Sequence, residues 1–135
     1  MRHAPEWFTL VALLVTLAAR PVAAFHVASE PVQSISAEQV KRLLDARERL
    51  ILIDLRPGAG FGKGHLPGAR SVPLSELPGR AAEVPRTGRV VLYCDCPAQE
   101  TQAANQFLRD QGHRNIEVLE EGFPGWVKRG YPLER

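Results

Sequence analysis

The 135-residue chain contains only two cysteines, Cys94 and Cys96, so any thiol chemistry is confined to one short stretch. It has little excess charge. Its 17 Lys and Arg stand against 15 Asp and Glu, for a formal net charge of +2. No basic cluster stands out, which removes the electrostatic footprint expected of a nucleic-acid binder. The uncharged apolar run Phe8–Ala19 falls short of the roughly 20 residues of a comfortable membrane span. There is no internal repeat and no low-complexity segment. The glycines at 58, 60, 62 and 64 do not make a nucleotide loop. A dinucleotide fingerprint begun at Gly58 and Gly60 meets Lys63 where its third glycine belongs. Gly62-Lys63 is followed by Gly64 rather than Ser or Thr, and Pro57 sits where a phosphate loop needs its first glycine.

Residues 1–24 differ in kind from the rest. Arg2 gives a positive start weakened by Glu6, the apolar run follows, and Arg20-Pro21 breaks it. Val22-Ala23-Ala24 then places small residues at the −3 and −1 positions of a cut before Phe25. This is a secretory signal pattern. The expectation is a signal peptide over 1–24 and one domain over 25–135, exported to an oxidising compartment, most simply a bacterial periplasm. The mature form would then carry no membrane segment. The alternative is a retained N-terminal membrane anchor.

The remaining chain, with ordinary hydrophobic (44%) and charged (24%) content, is enough for one globular domain. Its centre of interest is Val90-Val91-Leu92-Tyr93-Cys94. Four apolar residues rich in β-branched and aromatic side chains predict a buried strand. Ala104, Phe107, Leu108 and Gln111 fall at helical spacing, so a helix with a mostly apolar face is expected from Ala103, stopped at Gly112. The loop between them opens with Cys94. A loop entering a helix N-terminus presents free N–H groups and the positive end of the helix dipole. That environment eases ionisation of a thiol and can hold an anion. Cys94 is therefore the candidate nucleophile. The competing reading is a small buried residue ending a strand.

Ser36-Ala37-Glu38-Gln39 is a capping box, predicting a helix over about 36–47 with Val40, Leu43 and Leu44 on one face. Phe25–Gln33 reads as a leader strand or tail. Leu50–Leu55 is a near-continuous apolar run suited to a parallel strand buried on both faces. Turns around a short helical piece follow, then a short strand near Arg70–Val72 and a Gly-interrupted helix between Leu74 and Glu83. Ile116–Leu119 reads as a strand, and a last helical segment begins at Gly122 and ends at Gly130. Trp126 is expected as a core plug and His65 as a structural histidine. Strands alternating with helices imply an α/β domain with a mainly parallel sheet, in which ligands bind at the carboxyl ends of strands.

Ile53-Asp54-Leu55-Arg56, Gly64-His65-Leu66-Pro67-Gly68-Ala69, Val91-Leu92-Tyr93-Cys94 and Leu119-Glu120-Glu121-Gly122-Phe123-Pro124-Gly125-Trp126 together resemble the successive signatures of the rhodanese domain. The resemblance spans about Ile35 to Pro132. It implies a rhodanese-like α/β fold with about five strands and places Cys94 at the position of the sulfur-carrying cysteine. It also implies a two-step transfer. The thiolate takes sulfane sulfur from a small donor or a protein persulfide, and cyanide or a protein thiol then removes it. No cofactor and no metal is implied. Asp54 and Arg56 match an Asp-x-Arg element, read as bracing the loop first and binding substrate second.

The segment after the nucleophile departs from the commonest pattern of that family. Asp95, Cys96, Pro97, Ala98, Gln99, Glu100 and Thr101 stand where a glycine and an Arg-Ser pair are common, as in a smaller Cys-x-Cys-Pro subgroup. These residues and Arg56 are the expected substrate-binding set. No Lys or Arg lies between Cys94 and Thr101, which predicts weak binding of a dianion such as thiosulfate. Phosphatase chemistry needs an Arg six residues after the thiol, and Glu100 is there. Glu121 replaces the first of a usual glycine pair and is expected to alter only a turn. A ring closed over so short a separation is expected to be strained and reducible, which would make Cys96 a redox switch for Cys94; the alternative is that Cys96 is only a small side chain shaping the loop. Three further functions remain open: a thiol–disulfide protein using Cys94 and Cys96, a catalytically silent binding module, and a soft-metal site on the cysteine pair.

Overall fold

A computed structural model describes residues 30–135. The expected signal peptide over 1–24 lies outside the described residues, as does most of the leader over Phe25–Gln33.

The strand-forming runs make one five-stranded sheet, all parallel, in the order β1-β5-β4-β2-β3. Its members are β1 (Ser34–Ile35), β2 (Leu50–Asp54), β3 (Arg70–Ser71), β4 (Arg89–Tyr93) and β5 (Ile116–Leu119). Leu52 pairs with Val91 in register, and Leu92 with Val118. β4 lies at the centre, and its last four residues are buried, as its β-branched and aromatic composition requires.

Side-chain alternation along the strands sorts the core into two layers. Val90, Leu92 and Cys94 face one way, with Ile53, Leu55, Leu77, Ala104 and Leu108. Val91 and Tyr93 face the other, with Leu52, Ile35, Val40 and Trp126. The first layer is covered by α3 (Leu77–Arg80), the 3-10 turn after it, and α4 (Ala98–Asp110). The second is covered by α1 (Ala37–Asp45) and α5 (Gly122–Lys128). The short α2 (Gly58–Lys63) follows β2.

The capping box forms as its sequence predicts. Gln39 N–H donates to Ser36 Oγ, and Gln39 Oε1 accepts from the Ser36 N–H. Trp126 is fully buried and donates its indole N–H to the Pro132 carbonyl at 2.8 Å. His65 stacks on Phe61 at 3.7 Å between ring centroids and pairs its backbone with Glu134.

Among the described residues the first strand is Ser34–Ile35, and the Gln33 carbonyl accepts from Val118 N–H at its threshold. One boundary differs from the sequence reading. The helix expected from Ala103 begins at Ala98. Its first turn carries its buried side chain as Thr101, a polar residue that the apolar spacing could not register. The buried stripe is Thr101, Ala104, Asn105 and Leu108, while Gln111 is exposed.

Candidate active site

β2 is followed by β3 on one side of the sheet, and β4 by β5 on the other. The carboxyl ends of β2 and β4 therefore flank a topological switch point, where parallel sheets open a crevice. Cys94 is the first residue after β4 and is 7% exposed. Its carbonyl accepts from Phe123 N–H at 2.9 Å, which ties the loop to the start of α5. Gly122 makes this approach possible. It has φ +59°, and a Cβ there would lie 2.7 Å from the Cys94 oxygen.

Cys94 and Cys96 are joined by a disulfide with their Cα atoms 5.3 Å apart. Cys96 Sγ also contacts Thr101 Oγ1 at 3.4 Å. The pair forms a partition between two clefts. One, of about 380 Å³, lies beside the ends of β4 and β5, and its lining includes Ala98, Thr101, Gln102, Glu120 and Glu121. The other, of about 570 Å³, lies at the switch point, and its lining includes Arg56, Leu74, Ser75 and Glu100. Cys94, Asp95 and Cys96 line both.

The expected site residues thus divide into those that line a cleft and those that do not. Cys94, Asp95, Cys96, Ala98, Glu100, Thr101 and Arg56 meet at the clefts. Ala98, Gln99, Glu100 and Thr101 belong to the first turn of α4 rather than to a loop. Pro97 and Gln99 line neither cleft. Pro97 caps α4 without any side-chain hydrogen bond, so no side chain covers the N–H groups of its first turn.

Arg56 is committed to bracing. Its Nε and Nη2 grip the Asp54 carboxylate, the latter at 2.7 Å, and Nη2 also donates to the Gly64 carbonyl at 2.7 Å. Its guanidinium lies 3.5 Å from the Phe123 ring centroid. Burial opposes the charge, but the hydrogen bond and charge of Asp54 more than offset this and raise the Arg56 pKa. Tyr93 completes the network. Its hydroxyl donates to Asp54 Oδ2 at 2.8 Å and accepts from Leu66 N–H at 3.1 Å. Burial, reinforced by the Asp54 charge, raises the phenol pKa and keeps it protonated. Arg56 is the only Lys or Arg lining either cleft among the described residues. Asp95, Glu100 and Glu120 are exposed around them.

Glu121 does more than alter a turn. Its Oε2 accepts from Ala37 N–H at 2.8 Å at the start of α1, and its Oε1 pairs with Arg129 at 2.8 Å. It links α1 to α5 beneath the first cleft. Its position beside Gly122 was the only sequence signal, and nothing in it pointed to a partner 84 residues away. Among the described residues no group of three or more His, Cys, Asp or Glu is placed to hold a metal ion.

This architecture has relatives. The family model for the Rhodanese-like domain matches residues 36–129. A sulfurtransferase of Allochromatium vinosum is 31% identical over 102 residues, which cover 76% of this chain and 94% of that protein. The crystal structure of a thiosulfate sulfurtransferase from Pseudomonas aeruginosa superposes with a TM-score of 0.66 at 32% identity, over 77% of this chain and 20% of that one. The Alr3790 protein of Anabaena sp. gives a TM-score of 0.68 at 25% identity, over 74% of this chain and 81% of that one. With the strand order, the switch-point crevice and the four motifs in place, the chain belongs to the rhodanese-like domain family.

Proposed function

We propose that the protein is a sulfurtransferase in which Cys94 carries sulfane sulfur as a persulfide between a donor and a thiol or cyanide acceptor. The position of Cys94 carries this reading. It directly follows the central strand, borders both clefts and precedes the uncapped first turn of α4. There the N–H groups and the dipole favour a thiolate, and later a persulfide anion, without a general base. Asp95, Cys96, Ala98, Glu100 and Thr101 shape the substrate's approach, and Arg56 holds the wall of the second cleft.

The charge around the clefts supports an uncharged or protein-borne sulfane donor over thiosulfate. Two like charges at about 4 Å repel by ~1 kcal/mol in water and more where shielded from it. Exposed Glu100 faces the second cleft, where the only Lys or Arg is already paired. Glu100→Gln is expected to lower the Michaelis constant for thiosulfate about fivefold at low ionic strength, with little change for an uncharged donor. An unchanged constant for thiosulfate refutes the charge argument. Cys94→Ser is expected to abolish transfer from every donor, and retained transfer refutes the nucleophile.

The Cys94–Cys96 disulfide favours a second reading, a thiol–disulfide protein using the same pair. Export is part of the main proposal, supported by the apolar run and by Val22-Ala23-Ala24. N-terminal sequencing of protein from a native-like host should begin at Phe25. An intact Met1 form in the membrane fraction would establish the anchor instead.

A further inference from the structure

We infer that Cys96 is a resolving cysteine, which attacks the Cys94 persulfide and releases the carried sulfur as hydrogen sulfide. The inference rests on the proposal that Cys94 receives sulfane sulfur. It names a product of the site besides the transferred sulfur. Three observations carry it. The two Sγ atoms are bonded to each other, so the backbone between them already permits the approach of one sulfur to the other. Thr101 Oγ1 lies 3.4 Å from Cys96 Sγ, where its hydroxyl can donate to a Cys96 thiolate. Asp95 and Glu100 are exposed beside the pair and the one Arg of the cleft is paired with Asp54, so a released hydrosulfide meets no free cation there, among the described residues, that would retain it.

The step balances without an added oxidant. The Cys96 thiolate attacks Sγ of Cys94 in the protonated persulfide. The Sγ–Sγ bond forms, the bond from Cys94 Sγ to the outer sulfur breaks, and hydrosulfide leaves with that electron pair. The sulfane sulfur is reduced to sulfide while the two thiols are oxidised to the disulfide seen in the structure. A dithiol reductant must then reopen the disulfide before the next turnover, taking up the bond by thiol–disulfide exchange. The released thiols restore the state in which Cys94 accepts sulfur. A second thiol in reach thus turns a sulfur carrier into a dithiol-dependent reductase of sulfane sulfur. The acceptor thiol that would otherwise come from a partner protein is built into the loop.

The experiment is a single turnover of the full chain. The protein is reduced with a dithiol, freed of it, and mixed with one equivalent of an uncharged organic polysulfide. Free sulfide is trapped with a bimane reagent, and the intact mass is read at the same times. Wild type is expected to release close to one equivalent of sulfide and to end lighter than the reduced protein by two hydrogens. Cys96→Ser and Cys96→Ala are expected to gain one sulfur, hold it, and release less than a tenth as much sulfide until a thiol is added. Wild type that gains one sulfur and holds it as long as the variants do would overturn the resolving role while leaving the persulfide reading standing. Variants that gain no sulfur, with wild type that gains none either, would overturn both. Equal sulfide release from wild type and both variants would also exclude Cys96, because the attacking thiol would then be Cys94 of a second molecule.

Discussion

Asp54 is a fully buried carboxylate, and donors from two neighbours explain how it stays there. The Arg56 guanidinium and backbone N–H and the Tyr93 hydroxyl all donate to it. The family resemblance singled out Asp54 and Arg56 from a spacing of two residues, but Tyr93 looked like any aromatic at a strand end. Its partnership spans 39 positions of sequence and became visible only with the parallel pairing of Asp54 and Tyr93. Tyr93→Phe leaves Asp54 one donor short and the buried Leu66 N–H without an acceptor. That should cost about 1–3 kcal/mol of stability in urea unfolding, with an unchanged m value. A loss below about 0.5 kcal/mol would mean that the hydroxyl is replaceable by water. Glu121 teaches the same lesson. Its turn was readable, but the N–H it caps belongs to another helix.

At the scale of elements, what the sequence made plain was what repeats. β2 is apolar until Asp54, β4 is apolar after Arg89, and β5 is broken only by Glu117, so their positions followed from composition. The two-residue β1 and β3 carry too few side chains to show a period. The start of α4 was hidden because exposed polar residues fill its first turn around a single buried Thr101. This shift bears on the site, since it turns four expected loop residues into a helix terminus beside the cysteines. The other clamp is the entry to α5. Gly122→Ala would add a Cβ 2.7 Å from the Cys94 carbonyl at a left-handed φ. The conformation alone should cost about 1–2 kcal/mol, and relief of the clash should displace the Cys94 loop and slow sulfur loading. Gly79→Ala is the control, since nothing lies within 4 Å of its added Cβ. It should change stability by less than about 1 kcal/mol and leave loading intact. Equal behaviour of the two variants would show that the loop does not depend on this contact.

Across the whole molecule, chemistry-bearing groups gather at the carboxyl ends of the strands, while the opposite end is held by ordinary structural contacts. There Asn115 donates to the carbonyls of Pro85 and Gly88, and His113 is 1% exposed. Burial lowers the His113 pKa below its ordinary 6.5, and the nearby Arg86 charge acts in the same direction against a hydrogen bond to the Pro85 backbone. The consequence for folding has a definite sign. Above about pH 6.5 the imidazole is neutral in both states and the stability is complete. As the pH falls below that value the unfolded chain takes up a proton that the folded chain refuses, and stability declines. Denaturant unfolding should therefore show a fall between about pH 7 and pH 5 that is shallower in His113→Gln. Parallel curves for the two proteins would show that His113 is free to protonate in place. Activity should not follow this titration, because His113 lines neither cleft.

The central claim is that sulfur enters at Cys94, and locating the added atom tests it most directly. Reduced wild-type protein is mixed with a sulfane donor, quenched within the first turnover by an alkylating reagent, and digested. Fragmentation of the peptide between Cys94 and Cys96 then assigns the extra sulfur to one residue. The proposed function predicts a persulfide on Cys94, just after β4, decaying as the Cys94–Cys96 disulfide appears. An extra sulfur found on Cys96, or a disulfide that forms with no persulfide on either residue, would contradict it.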